Sequence, residues 1–224
     1  MKNSFFNSMV VPQRPEPQAT ARSERQMSNK QFYIIQPQEG RAGLEFVGGE
    51  VFDTSGVYAQ GPLFGGRGLP SFKGKPQIAF RRELGLRPLD IETLGPWLVV
   101  TGRFKEFAEA IDPDAFDFAA CDAFEMQGSE RFAMEPLWLC AAKRIGDFVD
   151  IEKSKGVAVR RGQGVEGIDI YVPLNTAQIV IREDLLPSGS HAFTVRQIAE
   201  IFCDAEFYNS FRKAGLRLHS FKPA

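Results

Sequence analysis

Two amphipathic helical stripes, set among short strand-like runs, constrain this chain more than any other feature of it. Phe104, Phe107, Ala108 and Ile111 fall at i, i+3, i+4 and i+7, the spacing of one buried helix face. Thr101 stands where an N-cap is needed, Arg103, Lys105, Glu106 and Glu109 form the wet side, and Asp112-Pro113-Asp114 stops the helix. The second stripe is Phe207, Tyr208 and Phe211, with Asp204 at its N-cap and Gly215 at its end.

Around these helices the pattern is that of strands. Gln31–Pro37 is β-branched and aromatic and ends in proline; Leu44–Val47 is a shorter run, broken by Gly48-Gly49. Pro96–Val100 and Leu137–Ala142 are compact apolar runs, and Phe116 and Phe118 alternate with Asp117. Val157–Arg160 and Ile168–Val172 read as the arms of a hairpin, Ile179–Ile181 as a short buried strand, and Leu216, Leu218 and Ser220 as a closing one. The interval Thr194–Cys203 fits strand or helix. Strands in pairs with a few helices, and no strict β-α alternation, predict an α+β fold of mainly antiparallel strands.

A chain of 224 residues is most simply one domain. We place that domain at 31–224, behind a proline-rich arm at 1–30 whose polar composition cannot offset its ordering entropy and predicts disorder. The 20 phenylalanines, against 4 tyrosines and 2 tryptophans, predict a thick apolar core. Net charge is -1, which gives no overall footprint for nucleic acid or an anionic membrane. Three separated cysteines without a CxxC argue against a disulfide framework or a cysteine-rich zinc site and for buried thiols. No apolar run approaches the ~20 residues of a membrane span, and the first eleven residues lack a signal-peptide pattern. Cytoplasmic residence is the expectation.

Chemical motifs are few. Gly162–Gly167 spells G-x-G-x-x-G, but a dinucleotide fingerprint needs a helix opening inside it. The following Ile168–Pro173 alternates as a strand, so a hairpin loop is expected. Gly65-Gly66-Arg67-Gly68 lacks the Lys-Ser/Thr of a phosphate loop. Asp112-Pro113-Asp114, Asp117 and Asp122 gather carboxylates, yet Pro113 and Phe116 spoil a calcium-loop register. The two histidines, His191 and His219, could in principle serve Ser220 or Cys203, but no nucleophile signature surrounds them. These residues predict no catalytic set, no metal and no cofactor. A nucleotide-handling enzyme built on the glycine-rich loops is the alternative, and a scaffold that docks through its proline-rich arm is a third reading.

The order of Phe32-Tyr33-Ile34-Ile35 with Pro37, Pro96–Val100 leading into Arg103-Phe104-Lys105-Glu106, Ile111-Asp112-Pro113 and Leu137-Trp138-Leu139-Cys140 resembles a family of bacterial immunity proteins of polymorphic-toxin systems. That family, the Imm-MXAN type, was formerly a domain of unknown function. Asp147, Asp150, the Glu152-Lys153-Ser154 turn, Ile179–Ile181, Ala192-Phe193-Thr194 and Ala214-Gly215-Leu216 continue the series. The resemblance implies strand in Thr194–Cys203 and a protein that binds and neutralises a co-encoded toxin by steric occlusion. It implies no catalytic residues. The acidic segment Asp114, Asp117, Asp122 and Glu125 would then face a basic toxin, since complementary charge speeds association.

Overall fold

The computed structural model describes residues 30–47, 69, 72, 74–95, 97–164, 167–198 and 200–224. The expectations for the arm before Lys30, for Gly48-Gly49 and for the loop at 65–68 lie outside the described residues. The first half of the chain forms strands β1 (Phe32–Gln36), β2 (Leu44–Phe46), β3 (Gln77–Arg81), β4 (Ile91–Leu94) and β5 (Trp97–Thr101), then helix α1 (Gly102–Ile111). Strands β6 (Phe116–Gln127), β7 (Glu130–Ala133), β8 (Leu137–Ala142), β9 (Ile145–Gly146), β10 (Lys155–Arg160) and β11 (Ile170–Gln178) follow. The chain closes with β12 (Ala192–Val195), β13 (Glu200–Asp204), helix α2 (Ala205–Lys213) and β14 (Ser220–Pro223).

One sheet runs β14-β1-β13-β12-β9 and a second runs β2-β3-β6-β8-β5-β4, with β7 added to β6; β10 and β11 make a separate ribbon. Among the described strands the β3–β6 and β9–β12 pairings are parallel and the rest antiparallel, with one further parallel bridge between Ala42 and Leu86. The fold is therefore α+β and mainly antiparallel, as the sequence predicts.

Within the two sheets one pattern occurs twice. The hairpin β4–β5 leads through α1 to β6, and β8 lies between β5 and β6. The hairpin β12–β13 leads through α2 to β14, and β1 lies between β13 and β14. The registers agree as well: Ile91 pairs with Val100, and Ala192 with Cys203. This sets Asp90 opposite Thr101 and His191 opposite Asp204. Thr101 N donates to Asp90 O at 3.1 Å, and Asp204 N donates to His191 O at 3.0 Å. Each helix then starts on a side-chain cap, Thr101 accepting from Phe104 N and Asp204 from Phe207 N.

The strands sort their side chains by the period of two. Leu98 and Val100 of β5 and Ile35 of β1 face a central core that also holds Phe104 and Ala108 of α1 and Phe207 and Phe211 of α2. Trp97 and Val99 turn to a second core roofed by β2 and β3, while Phe32 and Ile34 turn to a third beneath Phe148, Ile179 and Ile181. The helices meet through their rings, Phe107 lying 5.0 Å from Phe207 and 5.8 Å from Phe211. Such pairs add about 0.5–1.5 kcal/mol each beyond the area they bury. The thick phenylalanine core is present.

Some elements differ from the sequence expectation. Ile179–Ile181 is buried but forms no strand; Ile181 makes one isolated bridge to Val149. The last strand begins at Ser220 rather than Leu216, so 216–219 is a connecting segment. Thr194–Cys203, where the resemblance implies strand, is indeed strand at both ends, in β12 and β13, with a turn at 196–198. Strands β3, β4 and β7 had no distinct signal, and β4 in particular carries a buried Glu92 that breaks its apolar pattern.

Candidate functional site

The helices run antiparallel, so each end of the pair joins the start of one helix to the end of the other. At the first junction, Asp112 ends α1. Its carboxylate takes a two-pronged bond from Arg144 (2.7 and 3.1 Å) and further bonds from His191 N (2.7 Å) and Ala192 N (3.2 Å). Arg144 also donates to Ala192 O. Burial pushes the Asp112 carboxyl upward, but Arg144 and the two backbone N–H groups outweigh it and hold it below its ordinary value. His191 Nδ1 lies 3.0 Å from Asp204 Oδ2, while the other Asp204 oxygen caps α2. Both carboxylates are almost wholly buried. The junction is sealed.

At the second junction Asp90 does the joining. Its carboxylate accepts from Thr101 Oγ1 at 2.7 Å and from Arg217 N at 2.8 Å, and Asp90 N donates to Arg217 O at 3.0 Å. Arg103, from the start of α1, donates to Ala214 O and Gly215 O at the end of α2. Gly215 supplies the positive φ (65°) that turns the chain out of the helix. The Arg217 backbone is thus locked while its guanidinium stays 65 % exposed. Beside it opens a cleft of about 460 Å³ lined by Tyr208, Phe211, Arg212, Leu216, Arg217 and His219, among others. Two residues along the chain from Asp90, Glu92 is buried on β4 with Arg41 (3.0 Å) and Leu89 N (2.7 Å); burial nonetheless pushes its carboxyl up.

The residues singled out in the sequence are scattered. Asp114 is 82 % exposed and lies 3.6 Å from Lys143. Asp122 pairs with Lys75, Glu125 with Arg82 at 2.6 Å, and Asp117 sits half-buried early in β6. A rise of ~3.3 Å per residue sets Asp117 and Glu125 roughly 26 Å apart, and alternation turns Asp122 to the opposite face. Three of the four thus already have a cation beside them.

The histidine pairings weighed in the sequence do not form. His191 is engaged with Asp204, and Cys203 is fully buried while His219 is exposed. Burial pushes the Cys121 thiol up to about 11 and those of Cys140 and Cys203 well above the ordinary range, so none is poised as a thiolate. Gly162 and Gly164 lie in the β10–β11 connection, where Gly162 N donates to Asp169 and Gly164 N to Ile168 O. The arms are antiparallel and β11 follows, so the hairpin reading holds at the described residues and the dinucleotide geometry is not formed. Among the described residues no helix is long and apolar enough to cross a membrane.

The signal that sequence reading passed over is the tail. From Phe207 to Ala224 there are four basic residues, Arg212, Lys213, Arg217 and Lys222, and no acidic one. A model of the immunity protein family (Imm11) matches residues 7–224, nearly the whole chain, in agreement with the resemblance read from its motifs. No curated protein matches it.

Proposed function

The chain belongs to the immunity protein family (Imm11), and from that premise we propose that it binds and neutralises a co-encoded bacterial toxin in the cytoplasm by covering the toxin's working surface. The match over residues 7–224 carries this reading. The geometry is consistent with it, because the buried titratable groups are spent on holding the fold. Asp112, Asp204 and Asp90 join helix ends, and the thiols are suppressed. What reaches solvent is charge and scattered apolar side chains such as Leu84, Leu86, Phe132, Val159 and Leu174. Occlusion of this kind rests on an interface of roughly 1,600 Å² with a few anchors near its centre. Of the four carboxylates singled out in the sequence, Asp117 and Glu125 share one face of β6 and fit the polar rim of such an interface, where charge tunes the association rate, whereas Asp122 faces the other way.

The test is co-expression. The product of the neighbouring toxin gene should arrest growth alone and should be harmless beside this protein, and the two should co-elute after purification. A neighbour that is harmless by itself, or rescue without any complex, would refute direct neutralisation.

A further inference from the structure

The cleft at the end of α2 has the chemistry of a receptor for a carboxylate. Its floor is apolar and aromatic, from Tyr208, Phe211 and Leu216, and its rim carries Arg212, Arg217 and His219; no acidic residue lines it. Its volume of about 460 Å³ falls within the range of about 300–1,000 Å³ typical of ligand clefts. Arg212 is exposed and makes no ion pair among the described residues. The Arg217 guanidinium lies 3.9 Å from Asp90, a carboxylate already satisfied by Thr101, by Arg217 N and by Arg103 at 3.6 Å. Both guanidinium groups therefore retain donors to offer.

The end of a helix ordinarily repels an anion, because its free carbonyls carry partial negative charge. Here Arg103 donates to the carbonyls of Ala214 and Gly215 and offsets that field. The surrounding sequence acts in the same direction. All four charged residues from Phe207 onward are basic, although the whole chain is net acidic.

The sealed junction supplies a precedent within the molecule. There a carboxylate, Asp112, sits on the guanidinium of Arg144 at the corresponding helix end. At the open junction the nearest carboxylate, Asp90, lies 3.9 Å from Arg217, beyond hydrogen-bond distance, and is already bonded to Thr101 and to Arg217 N, so the guanidinium groups of Arg212 and Arg217 hold no carboxylate of their own. We infer that this cleft docks a segment of the toxin partner that presents an Asp or Glu beside an aromatic or aliphatic side chain. Arg212 and Arg217 grip the carboxylate, and the partly exposed Tyr208 receives the apolar group over the buried Phe211 and Leu216. The inference rests on the neutralisation reading and names the partner chemistry it needs.

The experiment is calorimetric titration of the full chain with an inactivated form of the neighbouring toxin. The double variant R212E/R217E should weaken binding roughly 100-fold or more, as expected for arginine anchors at an interface centre, and R212E alone should weaken it about 10-fold. A K155E/R160E control on the β10–β11 ribbon should stay within about 3-fold of wild type, because rim charges contribute little. Because a new carboxylate at 212 faces a helix end and one at 217 faces Asp90, R212Q/R217Q is titrated in parallel: it should also weaken binding while its unfolding midpoint stays near wild type, which separates lost binding from lost fold. Equal affinity for wild type and R212E/R217E would overturn the cleft and leave neutralisation standing. A toxin that binds no form of the protein would overturn neutralisation, and the cleft with it.

Discussion

The two helix junctions solve one geometric problem with opposite chemistry. Both must fasten the end of one helix to the strand hairpin that launches the other. The junction at Asp112 does so with a buried ion pair, in which side-chain exposure is 3 % for Asp112 and 12 % for Arg144. The junction at Asp90 does so through the backbone of Arg217, leaving that side chain outside. The first arrangement fixes structure and offers nothing to a visitor. The second is held through main-chain bonds, with Arg103 spent on the helix carbonyls, and leaves the Arg217 side chain largely exposed. A repeated framework can therefore keep one copy for stability and release the other for recognition.

Mutation should separate the two. Asp112→Ala strands a buried guanidinium and two backbone N–H groups, and should cost about 3–5 kcal/mol in urea unfolding. Arg217→Ala at the open junction should cost at most about 0.5 kcal/mol. Equal losses at the two sites would break the comparison. The caps come next: Asp204→Ala should cost about 1–2 kcal/mol and Thr101→Ala about 1 kcal/mol, the first being larger because the carboxylate also holds His191.

Acid titration sharpens the contrast through opposite signs. Asp112 has a depressed folded value, so its contribution is complete above the unfolded value near ~3.9 and is lost as pH falls through the folded one. Asp112→Asn should flatten this acid limb. Glu92 has a raised folded value, so the fold loses stability as pH rises from the unfolded value, ~4.3, through the folded one. Glu92→Gln should therefore gain on wild type as pH rises across that window; unfolding midpoints from pH 3 to 7 would show both slopes. Gly215→Ala should cost about 1 kcal/mol, from forcing a side chain into positive φ where no neighbour obstructs it, still more than the loss expected for Arg217→Ala.

Much of this fold was legible because its signals are local. The stripes of Phe104–Ile111 and Phe207–Phe211, the caps Thr101 and Asp204, and the stop at Gly215 each lie within one helix turn of what they control. The runs that became β1, β5 and β8 declared themselves by continuous apolar character. The repeated unit did not, because its two copies draw their middle strand from unlike places. Strand β8 follows its helix, whereas β1 precedes every other described element. The helices match only at the residue three past each cap, Phe104 and Phe207. Pairing partners far apart in sequence leave no periodic trace, and neither did the ion pair of Asp112 with Arg144. The cleft had a visible sign in the acid-free tail, but nothing local said that Arg212 and Arg217 border the same cavity.

The place of β1 also sets a timetable for synthesis. Ile34 pairs with Phe202, 168 residues later, and β14 then closes on the other side of β1. At about 5–20 residues per second, the first strand waits roughly 8–34 s on the ribosome before its partners exist. The unit containing β4, β5, α1, β6 and β8 is complete long before that. The Phe32–Gln36 strand thus waits for its sheet partners until nearly all of the chain has been made.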